Sequence, residues 1–195
     1  MFNSLKFKVI LFGFIFTFFS SFGQSYFLGL FNSSIREALS ITHGQFGSIY
    51  ASATLCSSLL LIWVGKKIDD VNIFKFAFFV TILLSFACFF FSRITSVFLL
   101  FIAIFLMRFS GQGMMSHTAS TTISRYFTRT RGRALSISWF GLSSAEFIMP
   151  VLMVYLLTII DWQNLWLIFS ITVLIVLPIA SFLLIKNLNL DSREA

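Results

Sequence analysis

Arg108 and Glu146 are the two residues of this chain whose chemistry is hardest to place, because each falls near the middle of a long apolar stretch. An ionised group at the centre of a bilayer costs roughly 2.5 kcal/mol or more, so such residues pair with one another, face a water-filled cavity, or do both. Their depths match, which opens a direct Arg108–Glu146 pair if the two stretches are neighbours. Two uses fit such a pair: locking two helices together, or handling a ligand or a proton. On a helix, Arg108 shares one face with Gln112, Met115 and Ala119, with Ser116 at its edge. Ser20, Ser21 and Gln24 offer similar groups earlier in the chain. A path lined by guanidinium, amides and hydroxyls can bind a small anion or zwitterion, since arginine engages a carboxylate through two parallel hydrogen bonds. Taken singly, the serines and Gln24 are better explained as hydrogen bonds between packed helices. His117 carries an imidazole that can relay protons; the plainer alternative is a buried ring satisfied by Ser116 or Ser120.

The elements that must hold these residues are six apolar stretches, near residues 8–31, 44–64, 72–92, 96–122, 133–158 and 163–185. Each is long enough to cross a bilayer as a helix, the form that satisfies every backbone group where lipid offers no partner. A chain 58% hydrophobic and 11% charged, with mean hydropathy +0.95, is no ordinary soluble domain. The net charge of +7 is distributed as a topology signal. Lys6 and Lys8 precede the first span, and Lys66, Lys67 and Lys75 flank the second gap. Arg125, Arg129, Arg131 and Arg133 fill the fourth, while Lys186 and Arg193 follow the last span. Basic residues are sparse in the odd gaps, so both termini and the even gaps are expected in the cytoplasm of an inner, or plasma, membrane. Contact with anionic lipid head groups is compatible with this pattern; nucleic-acid binding is not expected.

The first span is too long for a secretory signal and lacks a small-residue cleavage site. Cys56 and Cys88 sit within apolar spans, with no spacing that suggests a metal site or a disulfide, and no cofactor is expected. The 28 phenylalanines read as lipid-facing filler, and Trp162, Trp166, Trp63 and Tyr126 as interfacial anchors. Gly141 and Ala145 form a small-xxx-small pair for close helix packing, and Pro150 can bend the fifth span. No nucleophile elbow or metalloprotease motif is present; a hydrolase built on Ser143 and His117 is the weakest reading, and an enzyme is not expected. Gly23-Gln24 in span one and Gly111-Gln112 in span four make a short echo at similar depth in oppositely directed helices, as an inverted three-plus-three repeat would produce.

The gap after span two reads Gly65-Lys66-Lys67-Ile68-Asp69-Asp70-Val71-Asn72. It resembles the loop motif Gly-x-x-x-Asp-Arg-x-Gly of the major facilitator superfamily, matching at Gly65 and Asp69 and departing at Asp70 and Asn72. Arg108-x-x-Gly111-x-Gly113 is similar to the family's fourth-helix pattern, with Gln112 displaced by one position. Gly141-xxx-Ala145 with Pro150 is similar to its fifth-helix Gly-Pro pattern. Ser21-Phe22-Gly23-Gln24, Arg131-Gly132-Arg133-Ala134-Leu135-Ser136 and Asp161-Trp162 resemble bacterial facilitators of the monocarboxylate-transporter-like type.

The resemblance implies an all-α membrane protein: six transmembrane helices in an inverted three-plus-three repeat, the amino-terminal bundle of a facilitator. Residues 1–188 are expected to form the bundle, and 189–195 the start of a central cytoplasmic loop or a polar tail. It also implies secondary transport of a small solute by alternating access, with a second six-helix half, from the same chain or another copy, closing the cavity. Arg108, Gln112, Glu146, Gln24 and His117 are the expected solute or proton pathway, and Gly65 and Asp69 the inner gate. The alternatives are a six-helix substrate-binding subunit like the vitamin-binding component of energy-coupling-factor transporters, or a membrane scaffold that transports nothing.

Overall fold

The computed structural model describes residues 4–186, with the side chain of Asp69 outside the described set. Residues 189–195, expected as a loop or tail, also lie outside the described residues. Among the described residues, six helices are long and apolar enough to cross a membrane: α1 Ser4–Gly23, α2 His43–Ile68, α3 Ile73–Phe91, α4 Val97–Tyr126, α5 Arg131–Leu156 and α6 Trp162–Ile185. No strand occurs among the described residues.

Polar side chains at helix starts set several boundaries, because the first N–H groups of a helix have no partner within it. Thr42 Oγ1 accepts from the Gln45 amide at 3.2 Å while Gln45 Oε1 accepts from the Thr42 amide at 2.8 Å, a reciprocal cap that opens α2. Asn72 Oδ1 accepts from the Phe74 amide at 3.0 Å and starts α3, and Ser96 does the same for α4 through Leu99. Asn72, which departs from the glycine of the facilitator loop motif, thus serves as a helix cap here.

The first expected span, 8–31, is not one helix. Gln24 has an extended backbone, ψ 153°, between a tight turn at Ser21–Gly23 and a short helix Ser25–Leu30. α5, by contrast, runs helically through Pro150 to Leu156.

The packing has the symmetry of two inverted triplets. α1 packs on α5 as α4 packs on α2, α1 on α6 as α4 on α3, and α1–α4 and α3–α6 are self-related pairs; α4 also touches α5, which departs from the symmetry. Small groups make these approaches close. A Cβ on Gly13 would strike the Ser138 side chain, and one on Gly141 the Phe14 carbonyl. Thr17 Oγ1 donates to the Ser138 carbonyl at 2.6 Å across the same contact. Where α3 crosses α6, Ser85 and Ser170 each donate to the other's carbonyl, at 2.9 and 2.8 Å. Replacing both serines by alanine is expected to destabilise the bundle by about 1 kcal/mol. A thermal melt in detergent checks this, and a single replacement should cost less than the pair.

Aromatic residues fill the core where α1, α3 and α6 meet. Phe12, Phe16, Phe27, Phe31, Phe91 and Trp166 are buried, and the Phe91 and Trp166 rings are 4.4 Å apart. This corrects two expectations: many phenylalanines are core rather than lipid-facing, and Trp166 is not an interfacial anchor. Trp162 and Tyr126 are buried as well, whereas Trp63 is 75% exposed, as an anchor would be. α2 and α5 are the least covered helices, with 11% and 22% of their apolar windows buried against 50% for α1, α3 and α4.

Candidate functional site

The middle of α4 departs from α-helical geometry: Arg108–Met115 is wound as a π-helix, whose i→i+5 bonding widens the turn. It meets the tight turn Ser21–Gly23 of α1 at mid-length. The reason is steric. Gly23 and Gly111 bring the two backbones together so closely that a Cβ on Gly111 would lie 2.7 Å from the Gly23 nitrogen. The Gly-Gln echo read from the sequence marks this crossing.

Arg108 is held beside it and is 8% exposed. Its Nη1 donates to the Gly23 carbonyl at 2.9 Å and to Ser25 Oγ at 3.3 Å. Tyr50, from α2, donates its hydroxyl to the same Ser25 Oγ at 2.8 Å and stacks its ring under the guanidinium carbon at 5.4 Å. Arg108 Nε is buried with no hydrogen-bond partner. None of these partners is a carboxylate: the cation is held by carbonyl, hydroxyl and aromatic ring, which leave its charge unpaired and donor capacity to spare.

That arrangement overturns the direct Arg108–Glu146 pair. α5 packs on α1 and the short helix after it, and meets α4 chiefly at its far segment, Ser116–Tyr126. The two charged residues share a depth but not a contact. Glu146 is exposed on α5, close enough to Tyr26 to interact with it electrostatically.

Arg108 and Gln112 line one cavity of about 200 Å3 between α4 and α2, with Thr54, Ser57, Ser58, Leu61 and Gly113. The helical face expected to carry the pathway therefore splits. Arg108 and Gln112 reach the cavity, while Met115 and Ala119 are buried in the core. Gln24 is half-buried at the break in α1 and does not line that cavity. Ser20 is spent on the Thr17 carbonyl of its own helix at 2.6 Å, in place of the expected bond to a neighbouring helix. The α2 residues Tyr50, Thr54, Ser57 and Ser58 were missed by sequence reasoning. The available signal was the hydroxyl-rich run from Ser48 to Ser58 within an apolar helix.

His117 lies nearer the basic end of the bundle. Its Nε2 is 2.9 Å from the Gly65 carbonyl, so with that carbonyl as acceptor the ring carries its proton on Nε2. The satisfying group comes from the tight final turns of α2, in place of the expected Ser116 or Ser120 hydroxyls. Arg125 donates to the Ile68 carbonyl of the same turns at 2.8 Å. Two side chains of α4 thus hold the segment Gly65–Asp69 by its backbone; the Asp69 side chain lies outside the described residues.

The family model described as Major Facilitator Superfamily matches residues 13–194 of the chain. Among curated proteins, none matches it.

Proposed function

The chain belongs to the Major Facilitator Superfamily, a family of membrane transporters, and from that premise we propose that it carries a small organic anion by secondary active transport. The observation that supports this reading is Arg108, a cation set at mid-bundle with no carboxylate partner and a buried, unpartnered Nε beside a polar cavity. Retaining an unpaired cation at that depth is costly unless an anion uses it. Gln112 supplies an amide group at the same cavity, and the Glu146 carboxylate on α5 and the Gln24 side chain at the break after α1 flank the pathway. His117, with Gly65 and Asp69, belongs to an inner gate that α4 holds through backbone carbonyls.

Alternating access requires a second wall. In this reading α2 and α5, the least covered helices, face a second six-helix half that closes the cavity. The monocarboxylate-transporter-like type is the finer assignment that the sequence motifs favour. In this reading the protein sits in the inner membrane with both termini and the basic loops in the cytoplasm, an orientation supported by the distribution of basic residues. The test is uptake of radiolabelled small carboxylates into cells expressing the intact gene product, driven by an imposed ion gradient. Accumulation above empty-vector cells is expected. Uptake of neutral or cationic solutes alone would sink the anion assignment, and copurification with an ATPase would point to a multi-component system.

A further inference from the structure

α1 and α5 lie side by side and run in the same direction. Gly13 meets Ser138 and, further along both helices, the Phe14 carbonyl and Thr17 meet Gly141. On the N-terminal side of that contact a groove of about 240 Å3 lies between the two helices. Phe127 and Thr130, from the link between α4 and α5, line it as well.

The lining changes character with depth. Lys6 and Arg133 sit in the first turns of α1 and α5, and Ile10 and Ile137 lie one turn further on, about 6 Å along the axis. Ile10 and Phe127 are buried, while Ile137 is 40% exposed, so the apolar part is reached from outside the bundle. Helix stability does not account for the two cations. The positive end of the helix dipole lies in the first turn, where carboxylates are favoured and neither helix has one. The charge bias between the two membrane faces explains basic residues on this side, Lys8 and Arg129 included. It does not explain a pair of them at one end of an apolar groove.

An occupant that uses both parts of the groove carries an anion on an apolar body and lies at the membrane surface. A free phosphate has the anion without the body, and a neutral acyl chain has the body alone. We propose that the groove binds one anionic phospholipid, its phosphate between Lys6 and Arg133 and the start of an acyl chain along Ile10 and Ile137. Arginine engages phosphate through two parallel hydrogen bonds, and lysine acts as a point charge. None of the described residues lining the groove is acidic, so no carboxylate among them repels the phosphate. The groove shares no lining residue with the Arg108 cavity, and the proposal is independent of the solute assignment.

Native mass spectrometry of the intact gene product, titrated with phosphatidylglycerol and phosphatidylcholine of identical chains, tests it. The ratio of the two apparent affinities is read within each variant, so protein yield does not enter. Wild type should prefer the anionic lipid by about twentyfold, about fivefold for each basic residue. Lys6→Gln/Arg133→Gln should bring the ratio close to one, and Arg133→Gln alone, at an exposed position, should lower it about fivefold. Lys8→Gln/Arg129→Gln removes as much charge from the same face of the membrane and should keep the preference. Glycerol 3-phosphate, the anion without chains, should not displace the lipid. A wild type without preference overturns the site, as does a preference that survives Lys6→Gln/Arg133→Gln. Equal loss in both double variants would mean a diffuse surface field instead of a site. Displacement by glycerol 3-phosphate would make the groove a site for a soluble phosphate and end the lipid assignment. All four results leave the transport reading standing.

Discussion

Arg108→Ala is expected to lower anion uptake by about a hundredfold or more. A hydrogen bond to a charged group contributes about 1.5–3 kcal/mol, and a carboxylate held by a guanidinium loses two of them at once. Each 1.4 kcal/mol corresponds to roughly a factor of ten. Arg108→Lys keeps the charge but not the planar fork, so it should retain some uptake at a raised KM. The distinction matters because Arg108 also holds the Gly23 carbonyl at 2.9 Å, and its removal disturbs the α1–α4 crossing. Transport kinetics read beside a size-exclusion profile separate the two effects. A substrate role predicts a monodisperse, folded variant that does not transport. Wild-type uptake by Arg108→Ala would remove the residue from the solute pathway.

The second large effect is structural. Gly23→Ala should prevent the bundle from reaching its folded state, because the added carbon would collide with the backbone of Met107, Gly111 and Gln112. Side chains yield to such intrusions by changing rotamer, at about 1–3 kcal/mol for ordinary overpacking. Backbone in a crossing of two helices has no such freedom, so the cost at Gly23 should lie at or above the top of that range. Gly111→Ala meets the reverse side of the same contact, with Gly23 Cα 2.8 Å from the new carbon. Gly29 is the control: nothing lies within 4 Å of a Cβ there, and alanine should be tolerated. The yield of folded protein after detergent extraction decides it. Equal yields from Gly23→Ala and Gly29→Ala would mean that the crossing is looser than the geometry states.

Both effects arise at a crossing that the sequence only hinted at. The matching Gly-Gln pairs of spans one and four were legible as an echo, and the structure makes them the meeting point of α1 and α4. The accompanying break at Gln24 and the π-helical turns from Arg108 to Met115 were not legible. Neither contains a proline, and hydropathy is blind to how a helix is wound.

What the sequence determined by itself is what lipid demands of any chain: six spans of sufficient length, their alternating direction, and the side on which basic residues collect. Those follow from the backbone's need for internal hydrogen bonds and from the cost of moving charge across the bilayer, and both act locally. What only the tertiary structure decided is which apolar surfaces meet protein and which meet lipid. A lipid tail is as apolar as leucine, so Phe91 in the core carries the same hydropathic signal as Phe147 at the exposed surface. The same blindness explains Arg108 and Glu146. Equal depth made a pair conceivable, but depth is one coordinate. The packing of α5 on α1 fixed the other two, leaving Arg108 to Tyr50, Ser25 and the wall of hydroxyls on α2.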